Sequence, residues 1–444
     1  MNYDNRLQNV SVLGAAGKMG SGIVLLTMLE MAKLSFKPEN KDKTYILNAI
    51  DVSDTALNGL TTYLRAQILR TAEKTTVQLR EVYKDRSDLI ENQDIIDQYI
   101  NDVMLVLRPT TNMNAAYNSF MVFEAVSENP DLKVNLYSDI DQNNKNKAWF
   151  FTNTSSIPIN ELDKKADLGG RIIGFHFYNP PAIQKLVELI VTENTDVDLV
   201  EFAKTYARNI GKIIVPSSDI AGFIGNGHFM RDALYAINEI ERLAPKLGLP
   251  EAIYALNRVS QDFLIRPMGI FQLIDYVGLD VCIYIMSVMN SRFEDEEVHS
   301  PFLDKLVGMG IKGGQYANGS QKDGILKYDK AKISGIYDSE KAAYVELDEI
   351  NDKVDKFLGK LPDLHVPWKE IIRNPFRDGE IREYYMELRA MDNNGATLAI
   401  EYAKKSKQIG EYLLDQGVAQ KADDVNKVLL TGFYHAYGPI NDYT

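Results

Sequence analysis

The chain has 444 residues, 45% hydrophobic and 25% charged, which is too long for one ordinary domain and excludes a disordered or fibrous chain. A formal charge of -13 argues against nonspecific nucleic-acid binding, so any phosphate-bearing ligand has to be met by a local site. The longest nearly apolar run, Val281 to Met289, is far short of the roughly 20 residues of a membrane span, and Met1 to Leu7 lack the pattern of a signal peptide. A lone cysteine, Cys282, reads as a small core residue in a reducing compartment, so a cytoplasmic protein with no membrane span and no metal is expected.

Along the chain, Val10 to Leu13 reads as a short buried strand. A turn carrying Gly14, Gly17 and Gly20 follows, then a helical pattern in Ile23, Leu26, Met28, Leu29 and Met31. A second strand, Tyr45 to Ile50, ends at Asp51, completing a strand, loop, helix, strand unit of the dinucleotide-binding type. The interval from Gly14 to Asp51 exceeds the usual spacing of about 20 residues, and the polar insert Lys37 to Lys43 accounts for the longer crossover.

Further strands are predicted at Phe120 to Ala125, Ala148 to Thr152, Arg171 to Phe177, Leu186 to Val191 and Lys212 to Val215, with helices between them. Almost everything after Asp219 has helical periodicity. The expected fold class is therefore α/β then all-α. A Rossmann-type domain over 1–216 precedes two related helical domains over 217–330 and 331–444. The relation between the last two rests on Gly248, Asn257, Val259 and Gly269, which match Gly417, Asn426, Val428 and Gly438 at a constant offset of 169 residues. Between them, Gly310 to Gly335 is rich in Gly, Lys and Asp and reads as a loop or linker.

Glycines in the first turn let the backbone approach a pyrophosphate, while the following helix offers amides and positive potential. Asp51 can accept hydrogen bonds from an adenosine ribose and repels the extra phosphate of NADP, so NAD is the expected cofactor. A plain structural turn, and an aspartate that merely caps Ser53 to Leu57, are the alternatives.

Four segments carry the chemistry: Phe123-Glu-Ala-Val-Ser-Glu-Asn129, Thr152-Asn-Thr-Ser-Ser-Ile157, Gly174-Phe-His-Phe-Tyr-Asn-Pro180 and Leu186-Val-Glu-Leu-Ile190. Oxidising a secondary alcohol requires a base, a hydride acceptor and polar groups on the oxygen. His176 suits the first task, since an imidazole exchanges protons near neutral pH. Glu188 alternates with Leu186 and Ile190 on one face of an apolar strand, so unless that strand is at an edge its carboxylate points inward and needs a partner. Pairing the two orients the ring and stabilises its protonated form. Read singly, Ser155 and Asn226 are equally well helix caps, and His228, His299, His365 and His435 are structural.

Together with Asp219-Ile-Ala-Gly-Phe-Ile-Gly-Asn226 and Arg266-Pro-Met-Gly-Ile-Phe-Gln-Leu-Ile-Asp-Tyr-Val-Gly-Leu-Asp280, these segments closely resemble the 3-hydroxyacyl-CoA dehydrogenase family over roughly residues 8 to 281. The resemblance implies reversible NAD-dependent oxidation of a 3-hydroxyacyl-CoA in fatty-acid or butanoate-type metabolism, with His176 and Glu188 as the catalytic pair and Ser155 and Asn226 on the reacting oxygen. It also implies Gly14, Gly17, Met19, Gly20, Asp51, Glu128, Asn129, Lys133 and Ser155 near the cofactor. Asn179 would brace the catalytic loop, and Arg70 and Lys74 would meet the CoA end, although exposed basic residues on a helix are usually just solvated.

The chain departs from the family in a glycine turn one residue longer than GxGxxG, in Gly227 and His228 where an arginine is common, and in Ile270 for proline. Short family members pair through their helical domains, so a second helical copy implies a monomer with an internal pseudo-dimer. No enoyl-CoA hydratase motif is visible, which leaves that activity to a separate partner protein. The competing readings are another hydroxyacid or sugar-acid dehydrogenase and a non-catalytic NAD-binding protein.

Overall fold

The computed structural model describes residues 2–316, 319–330 and 332–444. The chain divides into two units after Asp219. The first is built on eight strands, β1 (Asn9–Leu13), β2 (Ile46–Ile50), β3 (Leu107–Thr110), β4 (Met121–Glu124), β5 (Trp149–Thr152), β6 (Ile172–Phe177), β7 (Leu186–Ile190) and β8 (Ile213–Ser217). Their order in the sheet is β3-β2-β1-β4-β5-β6-β7-β8. Neighbours are parallel except β6 and β7, so β7 and β8 run against the other six.

Apolar runs that fill both faces make these strands: every residue of β4, β5, β6 and β7 is buried. Phe123, Phe151, Phe175, Phe177 and Tyr206 pack as one aromatic cluster against the sheet. The strand missing from the sequence reading is β3, Leu-Arg-Pro-Thr, a short edge strand with only Leu107 buried. An edge strand needs little apolar surface and tolerates proline, so it leaves no periodic signal. The first unit runs slightly beyond the expected 216 because β8 continues to Ser217 and the Asp219 carboxylate accepts from Ile159 N and, at 2.8 Å, Asn160 N at the start of the helix Ile159–Ala166.

In the strand order, the chain steps outward from β1 to β2 and β3, then returns to place β4 on the other side of β1. In open α/β sheets ligands bind in the crevice at such a reversal, which here falls at the carboxyl ends of β1 and β4.

The second unit, Ile220–Thr444, holds one hydrophobic core that extends from Ala221 to Tyr437. Its principal helices include Gly225–Leu247, Leu249–Arg258, Ile270–Val277, Leu279–Asn290, Leu347–Leu358, Arg377–Ala390 and Asn394–Asp415. Cys282 is buried in that core, and burial pushes its thiol pKa up. The unit is not wholly helical. Strands β9 (Leu326–Asp329), β10 (Lys332–Asp338) and β11 (Ala343–Glu346) form an antiparallel sheet in the order β11-β10-β9. The expectation of a plain loop over Gly310 to Gly335 is therefore corrected: fully buried Leu326 and Ile336 anchor strands there, and the Asp275 carboxylate accepts from Ile325 N at 2.7 Å and Leu326 N at 2.8 Å.

At both Asn and Gly pairs singled out by the repeat the asparagine side chain meets the backbone past the glycine, three residues on in the first and two in the second. Asn257 Oδ1 accepts from Gln272 N at 3.1 Å, and a Cβ at Gly269 would lie 2.2 Å from that oxygen. Asn426 Oδ1 accepts from Ile440 N at 3.0 Å, and a Cβ at Gly438 would lie 2.3 Å from Asn426 Cγ.

Candidate active site

The glycine turn sits at the reversal of the sheet. Gly14 has φ +71, and a Cβ there would stand 2.6 Å from the Ala125 carbonyl oxygen, just past β4. Gly20 opens the helix Gly20–Ser35, and a Cβ on it would come within 2.0 Å of Gly14 O. Neither position admits a side chain, so backbone surface is presented to the crevice beside a helix N-terminus. The extra residue does not open the turn, since Gly17 N donates to Gly14 O at 3.1 Å and Ser21 N to Gly17 O at 3.0 Å. Met19 is the residue preceding the helix.

Asp51 follows β2. Its Oδ2 accepts from Ala16 N at 2.9 Å and its Oδ1 from Val52 N at 2.8 Å, which ties the end of β2 to the glycine turn. A carboxylate retains acceptor sites beyond two such bonds. These residues fit the pyrophosphate and ribose of a dinucleotide.

Beyond β4 lies a network of charges that the sequence reading did not resolve. Lys133, 1% exposed, places Nζ 2.7 Å from Glu124 Oε1 and 3.0 Å from Glu128 Oε2. Glu124 also accepts from Tyr137 Oη, from Thr152 Oγ1 at 2.7 Å and from Val126 N at 2.8 Å. Burial opposes charge on both Lys133 and Glu128. The charges of Glu124 and then Glu128 overcome it for the lysine, and the charge of Lys133 with hydrogen bonds from Thr154 and Ser155 overcomes it for Glu128, so the lysine pKa is raised and the Glu128 pKa lowered. Glu128 in turn shapes the loop after β5: its Oε1 accepts from Thr154 Oγ1, from Ser155 N at 2.9 Å and from Ser156 Oγ at 3.3 Å. Glu128, Lys133 and Ser155 are thus brought together, with Lys133 acting on the two carboxylates. Asn129 caps the helix Pro130–Asn143 through Leu132 N at 2.9 Å.

His176 and Glu188 are register partners across the antiparallel pair β6 and β7. Glu188 is fully buried and His176 8% exposed, with His176 Nδ1 3.3 Å from Glu188 Oε1. The same oxygen accepts from Tyr178 Oη at 2.7 Å, and the His176 and Tyr178 rings lie 5.0 Å apart. Burial, then the Glu188 charge, raise the Tyr178 pKa far above that of a free phenol, so its hydroxyl stays a donor. The sequence reading named Tyr178 only as part of a motif; its position two residues after His176, on the same side of an extended chain, was the available signal. Asn153 was also missed: its Oδ1 accepts from Phe177 N at 2.9 Å and joins the Ser155 loop to the end of β6. Past Asn179, Lys212 donates to the carbonyls of Pro181 and, at 2.6 Å, Gln184, and burial pushes its pKa down to about 8.

Asn226 belongs to the second unit, at the second position of the helix Gly225–Leu247. Two residues on, His228 is buried with Nε2 3.1 Å from Ser406 O and 3.2 Å from Ser406 Oγ; burial lowers its pKa, in keeping with a structural histidine. Arg70 and Lys74 are exposed on the helix Asp54–Val82.

Residues 9–220 match the 3-hydroxyacyl-CoA dehydrogenase NAD binding domain, and residues 253–322 match the 3-hydroxyacyl-CoA dehydrogenase C-terminal domain. A probable 3-hydroxybutyryl-CoA dehydrogenase of Deinococcus radiodurans is 31% identical over 215 residues, 48% of this chain and 75% of the relative. The chain belongs to the 3-hydroxyacyl-CoA dehydrogenase family. Another relative, the probable 3-hydroxybutyryl-CoA dehydrogenase of Bacillus subtilis, is 28% identical over 321 residues, 70% of this chain and 96% of the relative. The crystal structure of 3-hydroxybutyryl-CoA dehydrogenase from Escherichia coli shares the fold, with a TM-score of 0.63 at 20% identity over 98% of this chain and 90% of that one. As a member of the 3-hydroxyacyl-CoA dehydrogenase family, the chain is an NAD-dependent oxidoreductase of 3-hydroxyacyl-CoA, and its first unit supplies the NAD-binding domain.

Proposed function

We propose that His176 is the base that removes the proton from the 3-hydroxyl group, and that Glu188 orients and stabilises the imidazolium formed. The observation that carries this is the cross-strand pair itself, with Nδ1 3.3 Å from a fully buried carboxylate oxygen. With Nδ1 turned to Glu188, Nε2 is the ring nitrogen that would take the substrate proton. Bound NAD supplies the hydride acceptor. The Ser155 loop, fixed by Glu128, presents a hydroxyl suited to the substrate oxygen, and family resemblance gives Asn226 the corresponding role. In the reverse direction the imidazolium returns its proton to the 3-oxo oxygen.

The substrate is a short-chain thioester, 3-hydroxybutyryl-CoA oxidised to acetoacetyl-CoA, a reading supported by the names of the Deinococcus and Bacillus relatives. Gly14, Gly17, Met19, Gly20 and Asp51 hold the dinucleotide, with Glu128, Asn129 and Ser155 toward its reactive end, while Arg70 and Lys74 serve the CoA phosphates. The direct test is NADH consumption with acetoacetyl-CoA, beside NADPH and free acetoacetate. Turnover requiring both NADH and the thioester supports the reading, and indifference to the thioester favours a different hydroxyacid.

The chain works as a monomer in the cytoplasm, with any hydratase step on a separate protein. Two observations support the first part. The helix Asn394–Asp415 covers one side of Gly225–Leu247: a Cβ at Gly227 would meet Leu413 Cδ2 at 3.1 Å, and Tyr402 Oη donates to Asp232 Oδ2 at 3.1 Å. The similar, though not register-identical, Asn and Gly contacts support duplication of the helical portion. A concentration-independent dimer in sedimentation would count against the monomer. No single helix among the described residues is long and apolar enough to cross a membrane.

A further inference from the structure

His176 and Tyr178 both reach Glu188 Oε1, and the nearer of the two is the tyrosine. Tyr178 Oη lies at 2.7 Å and His176 Nδ1 at 3.3 Å. A hydroxyl bonded to a carboxylate at this distance is a strong, charge-assisted contact, whereas a ring nitrogen at 3.3 Å is a weak one. Glu188 has no exposed surface, so these donors substitute for the water it lost on folding. The longer contact gives His176 the lesser hold on Glu188 of the two. Of the two, the phenol therefore contributes more to fixing the carboxylate.

The local chain geometry makes this arrangement possible. Tyr178 stands two residues after His176, and Glu188 sits opposite His176 in the ladder, so Tyr178 approaches the carboxylate along the diagonal that long aromatic side chains can span. The two rings lie 5.0 Å apart with planes at 40°, so the phenol also packs beside the imidazole whose partner it holds. A phenylalanine at this position would retain the packing and lose the donor.

We propose that Tyr178 is a positioning residue of the reaction: its hydroxyl holds Glu188 Oε1 in place for His176, making the catalytic pair a group of three. The phenol touches neither cofactor nor substrate in this role; it acts through Glu188. The proposal rests on His176 as the base.

The test is a double-mutant cycle measured on the full-length enzyme with NADH and acetoacetyl-CoA. Tyr178→Phe is expected to lower kcat by about tenfold, the scale of one charge-assisted hydrogen bond, while leaving KM for NADH within about twofold. In a Glu188→Gln background the same change is expected to alter kcat by less than about twofold, because the group it acts through is already gone. Native kcat in Tyr178→Phe, or an undiminished loss in the Glu188→Gln background, overturns the proposal. Thermal melting of each variant identifies a loss of kcat that follows from unfolding, which also counts against it. A His176→Ala enzyme that keeps its turnover removes the base assignment, whereas unchanged Tyr178→Phe beside an inactive His176→Ala removes only Tyr178.

Discussion

His176 and Glu188 face each other where the sheet changes from parallel to antiparallel, as register partners of β6 and β7. Because β7 enters antiparallel, it places a buried carboxylate directly beside a residue near the carboxyl end of β6, and those ends are where the sheet builds its site. Replacing Glu188 with Gln keeps the volume and removes the charge that stabilises the imidazolium. The expected result is a kcat lowered by at least about tenfold with NADH binding retained, measured by steady-state kinetics and NADH fluorescence titration. A variant with native kcat would remove Glu188 from the mechanism.

Lys133 is a buried cation held by two carboxylates. Lys133→Met leaves both carboxylates without their counter-charge, and breaking a buried pair from one side costs about 3–5 kcal/mol. The melting temperature should drop clearly. An unchanged melt would mean that Glu124 and Glu128 find other partners.

The same network sets a pH response. The Glu128 pKa is depressed in the folded protein, so its contribution is present above the unfolded value of about 4.3 and lost as pH falls through the folded one. Lys133 has a raised pKa, so its contribution persists below about 10.4 and is lost as pH rises through the folded value. Glu128→Gln should therefore weaken the acid-induced fall in melting temperature. Identical acid profiles for the two proteins would contradict this.

Asp275 gives the opposite sign. Burial pushes its carboxyl up to about 7 despite hydrogen bonds from Leu326 N, Ile325 N and Tyr328 Oη. A raised pKa gives a contribution that is complete below the unfolded value of about 3.9 and lost as pH rises toward 7. Asp275→Asn should destabilise the protein, and the deficit relative to the native chain should narrow between about pH 4 and 7. A deficit that widens over this range would show that the three donors keep the carboxylate ionised.

At the cofactor site, Asp51→Asn removes the charge but keeps an acceptor for Ala16 N. The preference for NADH over NADPH should fall by about tenfold or more, read from the ratio of kcat/KM values. Gly20→Ala brings a methyl group against the Gly14 carbonyl, so it should lose NADH binding altogether. Retained binding would mean that the turn can shift aside.

Buried strands were legible because apolar runs flanked by turn residues leave few other readings, and the pattern located β1, β2 and β4 through β8 to within a residue or two at most ends. Leu107–Thr110 carried no such pattern, and β9 and β10 were obscured because they lie in or begin in a stretch rich in Gly, Lys and Asp, with Leu326 the one buried residue of β9 and the buried end of β10 falling at residues 335–338. In the site, His176 and Glu188 were readable because a base and an inward carboxylate are chemically conspicuous. Tyr178, Asn153 and Lys133 were harder to read. Each acts through a contact that depends on register or on a helix packing over the sheet, and the sequence does not state which polar atom will be reached.

The most direct measurement is NADH consumption with acetoacetyl-CoA by the native chain and by His176→Ala, at equal NADH saturation. Rapid turnover by the native chain and a loss of about 100-fold or more in the variant, with NADH affinity unchanged, is the predicted result for removal of a general base. Comparable turnover by the two proteins would contradict the assignment of His176, and with it the account of how this site oxidises its substrate.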